Sequence, residues 1–314
     1  MRVLLTGASS FTGVWFAQAL LEADCEVVAA LRGPARGRKG VAAERLALVR
    51  RGCELVPRVP FGSPAFLDLL RGAGPFDLLC HHGAVVGDHR RGDFDVDAAV
   101  AANCRDLEAV LDALGDTGGN TVLLTGSVFE ADEGAGDPPL RAFSPYGLAK
   151  TLTWHRFRFA CERRGVTLGK LVIPSPFGPL EKDGFTAALV RAWLRDEEAL
   201  VRRPRLVRDQ VPVRFLATAY AGFATSLPDR RGTLRASPSG FAEPLAAFAQ
   251  RMAEALRPRL GRRCPVASAD PPESTDEPLV RRGLERLPEI DDRVAVDTMW
   301  CDYATWWRDR ATVD

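Results

Sequence analysis

Short apolar runs alternate with amphipathic stretches through the first half of the chain. Val3–Leu5, Glu26–Leu31 ("EVVAAL"), Glu54–Val59, Asp77–Cys80 ("DLLC"), Thr121–Leu124 ("TVLL") and Leu168–Ile173 have the length and continuity of buried strands. Between them, residues 13–22, 42–51, 64–71, 98–114 and 146–164 read as helices. Ser63 and Pro64 form a cap and first position for the third of these. Strands that are apolar on both faces and separated by helices predict a parallel sheet covered on both sides. The expected fold class is therefore α/β, a doubly wound parallel Rossmann sheet with a smaller C-terminal substrate-binding lobe. Ligands of such sheets lie beyond the carboxyl ends of the strands.

After Pro174 the regularity fades. "PSPFGP" reads as a loop, residues 185–197 as helical, "RRPRLVRDQVPV" as extended and basic, 241–256 as helical, and "ADPPESTDEP" as a polar loop. Trp300, Tyr303, Trp306 and Trp307 fall near helical spacing and predict a terminal helix packed by its aromatic side. The expected division is a dinucleotide-binding domain over 1–174, rejoined by about 208–237, and a lobe over 175–314 that is mainly substrate-binding.

The bulk properties narrow the class. Lys plus Arg number 42 and Asp plus Glu 41 among 314 residues, so no global field attracts nucleic acid or an anionic membrane. Seven cysteines are dispersed without a ligand spacing, which reads as free thiols in a reducing compartment. No apolar run reaches membrane-spanning length, and "MRVLLTG" enters a strand directly, without a leader's apolar core. The expected location is the cytoplasm.

Candidate chemistry begins at "VLLTGASSFTGVWF". Gly7 follows the first strand and Gly13 lies in the first helical turn, with Ser9, Ser10, Phe11 and Thr12 between them. Backbone N–H groups at a helix N-terminus bind a pyrophosphate where no bulky side chain intervenes. Ser10 stands where a middle Gly is common, and its hydroxyl is small enough to donate to phosphate. At the end of the second strand, where a carboxylate would bind the ribose hydroxyls of NAD, stands Arg32, followed by Arg36, Arg38 and Lys39. Arginine pairs with a 2′-phosphate, so the expected cofactor is NADP, with NAD the alternative.

"SPYGLAKT" places Tyr146 and Lys150 one helical turn apart on one face. A free phenol ionises near ~10, too high for a base at neutral pH. A neighbouring ammonium and a nicotinamide cation would favour phenolate, and a fall of about three units corresponds to about 4 kcal/mol. Tyr146 is then the expected proton-transfer group. Ser127, at the end of the preceding strand, is the third candidate, with Thr125 as its alternative. His81, His82, Asp88 and His89 raise the thought of a metal, but adjacent histidines at a strand end point apart; no metal is expected. Glu130, Asp132 and Glu133 read as a solvated acidic loop that borders the site.

With these residues in place, the chain resembles the short-chain dehydrogenase/reductase superfamily, and within it the extended NAD-dependent epimerase/dehydratase family acting on nucleotide sugars. "TGASSFTG" is similar to that family's TGxxGxxG and "SPYGLAK" matches its YxxxK motif. "LLCHHGAVV" stands for its strand followed by HxAA, so the resemblance implies cofactor contacts at His81, Gly83 and Ala84. Asn103 matches the Asn of N-x-x-G-T, with Asp106 and Leu107 replacing Gly-Thr. "IPSPFGP" stands for R-P-x-N-V-Y-G-P, which places Pro174 beside the cofactor and Ser175 at the substrate. "VRDQVPVRFLATAY" retains Arg208, whose counterpart contacts the substrate diphosphate, while Arg214 and Phe215 replace two Asp.

The catalytic assignment by resemblance is Ser127, Tyr146 and Lys150, the last two also touching the cofactor along with Thr125. Sugar-nucleotide 4,6-dehydratases have Thr-Asp-Glu at Ser127-Val128-Phe129, so water elimination is disfavoured. A nucleotide-sugar ketoreductase is the expected activity, with an NAD-dependent 4-epimerase as the alternative. A non-catalytic NADP-sensing protein of the same fold is a further alternative. Alcohol-forming reductases of the same branch, also with Arg after the second strand, leave other substrates open. In relatives, helices matching 98–114 and 146–164 form a four-helix bundle between two copies, so a homodimer is implied.

Overall fold

The structure, a computed structural model, describes residues 1–85, 94–270 and 277–311. Asp88 and His89, and residues 271–276 of the polar loop, lie outside the described residues. The chain divides into two compact units, residues 1–133, 140–173 and 217–237 forming one and 134–139, 174–216 and 238–311 lying in the other. Of the span 208–237, only 217–237 groups with the first unit.

The first unit carries a seven-stranded sheet. Its strands include β1 (Arg2–Thr6), β2 (Glu26–Leu31), β3 (Glu54–Pro57), β4 (Leu78–His81) and β5 (Thr121–Ser127). Thr167–Ile173 and Thr233–Ala236 extend it past β5, giving the spatial order Thr233–Ala236, Thr167–Ile173, β5, β4, β1, β2, β3. Every pairing is parallel. The strand order reverses between β1 and β4, where Thr6 is registered with His81. A ligand crevice belongs outside the carboxyl ends of those two strands.

Six helices of this unit follow the strands: α1 (Phe11–Glu22), α2 (Val41–Gly52), α3 (Pro64–Ala73), α4 (Val96–Asn103), α5 (Leu107–Asp116) and α6 (Pro145–Arg164). The α3 cap is as read from the sequence, with Ser63 accepting from the Phe66 N–H at 3.3 Å. On one side of the sheet a single core joins Phe66 and Leu70 of α3, Leu107, Val110, Leu111 and Leu114 of α5, and Trp154, Phe157 and Cys161 of α6. That burial is the main stabilising term, at about 25 cal/mol per Å² of apolar surface removed from water.

One expected helix is two. The run 98–114 breaks at Cys104–Asp106, where Asp106 takes a left-handed backbone at φ 45°. Apolar periodicity continues across the break, so pattern alone does not reveal it. A glycine on another segment makes room for the break: an Arg105 carbonyl oxygen lies 1.8 Å from where a Cβ on Gly62 would sit. Aspartate tolerates the left-handed region, which explains how it stands where the resembled motif has Gly.

The second unit holds a mixed sheet. Val207–Pro212 pairs antiparallel with Phe241–Pro244 and parallel with Val280–Arg282 and with Ser175–Phe177. Ala135–Gly136 closes the far edge. Residues 241–244 are therefore strand, not the start of a helix; the helix is Leu245–Leu260, and it begins after Pro244. Asp209, fully buried, fastens this unit by accepting from the N–H groups of Gly240 at 2.6 Å and Gly283 at 2.8 Å. The terminal helix Arg293–Ala311 buries Trp300, Tyr303 and Trp307, with Phe177 5.5 Å from Trp300. Trp306, expected among them, is only half-buried and lies beneath Arg310.

Candidate active site

The β1–α1 connection makes a tight turn whose floor is backbone. Gly7 has φ 75°, and a Cβ there would lie 2.7 Å from the Gly83 nitrogen at the end of β4. A Cβ on Gly13 would lie 2.1 Å from the Gly7 carbonyl oxygen. Both glycines are needed for this approach of loop, helix and neighbouring strand. Ser10 is the N-cap of α1, its hydroxyl accepting from the Gly13 N–H at 3.0 Å. The hydroxyl expected to donate to a phosphate is thus used first in closing the helix end. The first-turn N–H groups of Phe11 and Thr12 have no acceptor within their own helix, as at any helix N-terminus. Ser9 and Phe11 are half-buried there. This turn at a topological switch point fits the pyrophosphate of a dinucleotide.

His81 and His82 do opposite jobs. His81 is buried, with Nδ1 3.0 Å from the Thr6 hydroxyl and Nε2 3.1 Å from the Asn103 carbonyl. A carbonyl only accepts, so Nε2 carries the proton and Nδ1 receives the Thr6 hydroxyl. Thr6 Oγ1 in turn accepts from the Gly83 N–H at 2.9 Å. His82 points toward the glycine turn, Nε2 lying 3.0 Å from both Ser10 Oγ and Thr12 Oγ1, and Nδ1 3.1 Å from Thr125 Oγ1. Burial, then the nearby Lys150 charge, pulls both imidazoles down to about 3. The sequence assigns His82 no side-chain role once a metal is set aside; the structure makes it the link between the glycine turn and β5. Among the described residues no cluster of His, Cys, Asp and Glu could hold a metal.

Asn103 is likewise turned inward. Its Oδ1 accepts from the Val85 N–H at 2.9 Å and its Nδ2 donates to Thr153 Oγ1 at 3.4 Å. It braces the segment after β4, where Gly83 and Ala84 are half-buried, against α6. Arg32 is exposed directly beyond β2.

Tyr146 and Lys150 occupy the first turns of α6, capped by Ser144. Lys150 is buried and donates through Nζ to the Thr125 carbonyl. Tyr146 is half-buried, with the Phe94 and Phe129 rings each 6.4 Å away and edge-on. Ser127 is buried at the end of β5, its hydroxyl accepting from the Phe129 N–H at 3.2 Å. Burial, and then the Glu130 charge, push the Tyr146 phenol above its ordinary range. Burial pulls the Lys150 ammonium down, opposed by Glu130. The protein's own groups thus favour the protonated phenol, before any contribution from the nicotinamide cation on which the expected phenolate also depends.

The acidic loop is the largest departure from the sequence reading. Glu130 and Glu133 are buried, not solvated, and Lys170 Nζ donates to them at 2.5 and 2.6 Å. Asp132 alone of the three is not buried. The signal was present in "TLGKLVI", a lone lysine inside an apolar central strand, because a buried ammonium demands a buried carboxylate.

Pro174, Ser175 and Arg208 belong to the second unit. Pro174 is buried, and Ser175 is half-buried and registered with Gln210. Arg208 is buried; its Nη2 donates to Glu277 at 2.9 Å and its Nη1 to the Val207 and Pro278 carbonyls at 2.9 and 3.1 Å. A diphosphate would compete with Glu277 for that guanidinium.

A family model described as the NAD dependent epimerase/dehydratase family matches residues 3–220. Among curated proteins none matches the chain. Solved structures resemble it over its whole length. A UDP-glucose 4-epimerase from Thermotoga maritima, with UDP-glucose, is 16% identical with a TM-score of 0.73, covering 100% of each chain. A UDP-glucose-4-epimerase from Stenotrophomonas maltophila, with NAD and formylated UDP-arabinopyranose, is 16% identical with a TM-score of 0.74, again over 100% of each. A UDP-glucuronic acid 4-epimerase from Bacillus cereus, with UDP-glucuronic acid and NAD, is 16% identical with a TM-score of 0.70, covering 98% of this chain and 99% of that one. At such identities the likeness is one of fold.

Proposed function

The chain belongs to the NAD dependent epimerase/dehydratase family, and from that premise we propose that it is an NADP(H)-dependent oxidoreductase acting on a sugar carbon, most simply a nucleotide-sugar ketoreductase. The observation that supports the reading is Ser127 at the end of β5 beside a Lys150 fastened to the Thr125 carbonyl, with Tyr146 one turn earlier on α6, on a sheet whose β1–α1 turn leaves its backbone open to a pyrophosphate.

The dinucleotide, when bound, supplies hydride exchange at its nicotinamide ring. The residues from Gly7 to Gly13 would hold its pyrophosphate, with Gly83 and Ala84 bordering it. Ser127 would hydrogen-bond the substrate oxygen, and Tyr146 would give that oxygen its proton. Lys150, fastened to the Thr125 carbonyl, keeps a positive charge near the phenol and stabilises the anion left on it. Val128 and Phe129 follow Ser127, so no acid–base pair for water elimination stands there. Ser175 and Arg208 are the residues we assign to the substrate's nucleotide portion.

Arg32 supports NADP over NAD: it is exposed just beyond β2, with no carboxylate beside it in the sequence. A second reading, an NAD-dependent nucleotide-sugar 4-epimerase, is favoured by the names and bound NAD of the structural neighbours. One experiment separates them. NADPH and NADH binding is titrated by tryptophan fluorescence on the wild type and on Arg32→Ala. The ketoreductase reading predicts a wild-type preference for NADPH, and a loss of roughly tenfold or more for NADPH alone in the variant. Equal losses for both, or NAD retained tightly through purification, would favour the epimerase. We further place the protein in the cytoplasm, in keeping with free cysteines at all seven positions, and as a homodimer through α6. Among the described residues no helix is long and apolar enough to cross a membrane.

A further inference from the structure

Behind the catalytic turn lies a charge network that the reaction described above does not use. Lys170, in the middle of the strand Thr167–Ile173, has no exposed surface, and Glu130 and Glu133 are almost as buried. Lys170 Nζ also lies 4.5 Å from the Trp154 ring of α6. Arg235 stacks on the same ring at 5.1 Å and reaches Glu133 at 3.4 Å. Two buried carboxylates thus face one buried cation, Lys170, and one exposed one, Arg235. The buried part of such a set is weak as a source of stability, since well-packed apolar residues of similar volume often serve as well. Its geometry gives it another use.

Glu130 divides its two oxygens. Oε2 takes the Lys170 ammonium, and Oε1 accepts from the Ser127 N–H at 2.7 Å. The same turn is pressed onto α6. A Cβ on Gly147, the residue after Tyr146, would lie 2.1 Å from the Phe129 carbonyl oxygen. The Ala131 N–H donates to Thr151 Oγ1 at 2.9 Å, one residue past Lys150. Gly126 leaves room for the arrangement, since a Cβ there would meet Lys170 Cε at 2.5 Å and Glu130 Oε1 at 3.0 Å.

We propose that Glu130, held between the Ser127 N–H and the Lys170 ammonium, is a positioning residue for this site: it fixes the Ser127–Ala131 turn against the first turns of α6, which carry Tyr146 and Lys150, and brings its charge to bear on that pair. That charge opposes a second anion on the phenol and favours the ammonium of Lys150, in line with the directions in which Glu130 moves both groups. The site is thereby set to present a phenol that still holds its proton, which suits delivery of that proton to a carbonyl oxygen. Among the charged groups packed in this region, Glu130 comes from the turn, Lys150 from α6 and Lys170 from the strand Thr167–Ile173, with Glu133 and Arg235 behind them; Glu130 acts on the phenol, and Glu130 and Lys170 act in opposite senses on Lys150.

The inference rests on the reading of Tyr146 as the proton-transfer group, and its test uses neither cofactor nor substrate, so the two can fail separately. The chain has three tyrosines, of which Tyr220 and Tyr303 are fully buried. Replacing all three biosynthetically with 3,5-difluorotyrosine, whose phenol ionises near neutrality, gives a 19F spectrum in which Tyr146→Phe identifies one resonance. Glu130→Gln keeps the acceptor for the Ser127 N–H and removes the charge, while turning a donating NH2 toward Lys170. The proposal predicts that the Tyr146 resonance titrates about one pH unit lower in Glu130→Gln than in the wild type. Glu130→Gln combined with Lys170→Met, which leaves no unmatched ammonium, repeats the comparison if the single variant does not fold. An unchanged midpoint overturns the proposal. Failure of both variants to fold also overturns it, by reducing Glu130 to a structural part.

Discussion

His81 shows how one residue binds several levels of this fold together. Its ring joins Thr6 on β1 to Asn103 at the end of α4, and it lies 5.3 Å from the Phe157 ring in the core. The sequence made the histidine visible as a motif position; it could not show that both ring nitrogens are used inside the protein. The sign of the consequence is clear. The folded imidazole titrates at about 3 and the unfolded one near 6.5. Below pH 6.5 the unfolded chain binds the proton first, so this contribution is complete above that pH and is lost as pH falls toward 3. One such group gives a stability slope of about 1.4 kcal/mol per pH unit inside the window. Urea unfolding of wild type and His81→Gln between pH 6 and pH 4 should show the variant's slope shallower by one proton. Parallel slopes would mean that His81 is already charged in the folded protein. The same logic separates what could be read elsewhere at this scale. Tyr146 and Lys150 declare themselves by spacing, whereas Glu130 and Lys170 are distant in sequence and only burial makes their pairing necessary.

At the scale of elements, alternation was the dependable signal. All six strands read from the first half are strands of one parallel sheet, because runs apolar on both faces have few other places to go. Failures came where a local backbone event left the hydrophobic pattern intact. The left-handed Asp106 splits α4 from α5, and Pro244 ends a strand where the run 241–256 looks helical throughout. The helix α6 carries a different message on each side. Trp154, Phe157 and Cys161 are buried in the core, as their spacing indicates, while Leu148, Leu152 and Phe159 are 44, 39 and 61% exposed along one line of the opposite face. Three large apolar side chains in line on an otherwise polar surface fit a second copy of the same helix. Light scattering should give twice the chain mass for the wild type and the single chain mass for Leu152→Asp combined with Phe159→Asp. A monomeric wild type would remove α6 as the interface.

For the whole molecule, the family match, the sheet order and the motif positions agree on one architecture. They leave the chemistry less constrained. The glycine turn, His82, Thr125 and Lys150 form a continuous hydrogen-bonded path within the first unit, from the helix end that fits a pyrophosphate to the Lys150 amine, one helical turn past Tyr146. In the second unit Arg208 is bound to Glu277, and the departures from the substrate-side motifs lie there too. Hence the glycine turn proposed for the cofactor is legible in the sequence and the surroundings of Arg208 are not: the first is a backbone turn that needs particular small residues, the second a side chain with several possible partners. The most direct measurement is of Tyr146→Phe. With NADPH as reductant and a panel of nucleoside diphosphate 4-ketosugars as substrates, nicotinamide absorbance at 340 nm follows turnover, and tryptophan fluorescence follows cofactor binding. The account predicts that the variant binds NADPH like the wild type and loses at least about a hundredfold in turnover. Turnover at the wild-type rate would contradict it.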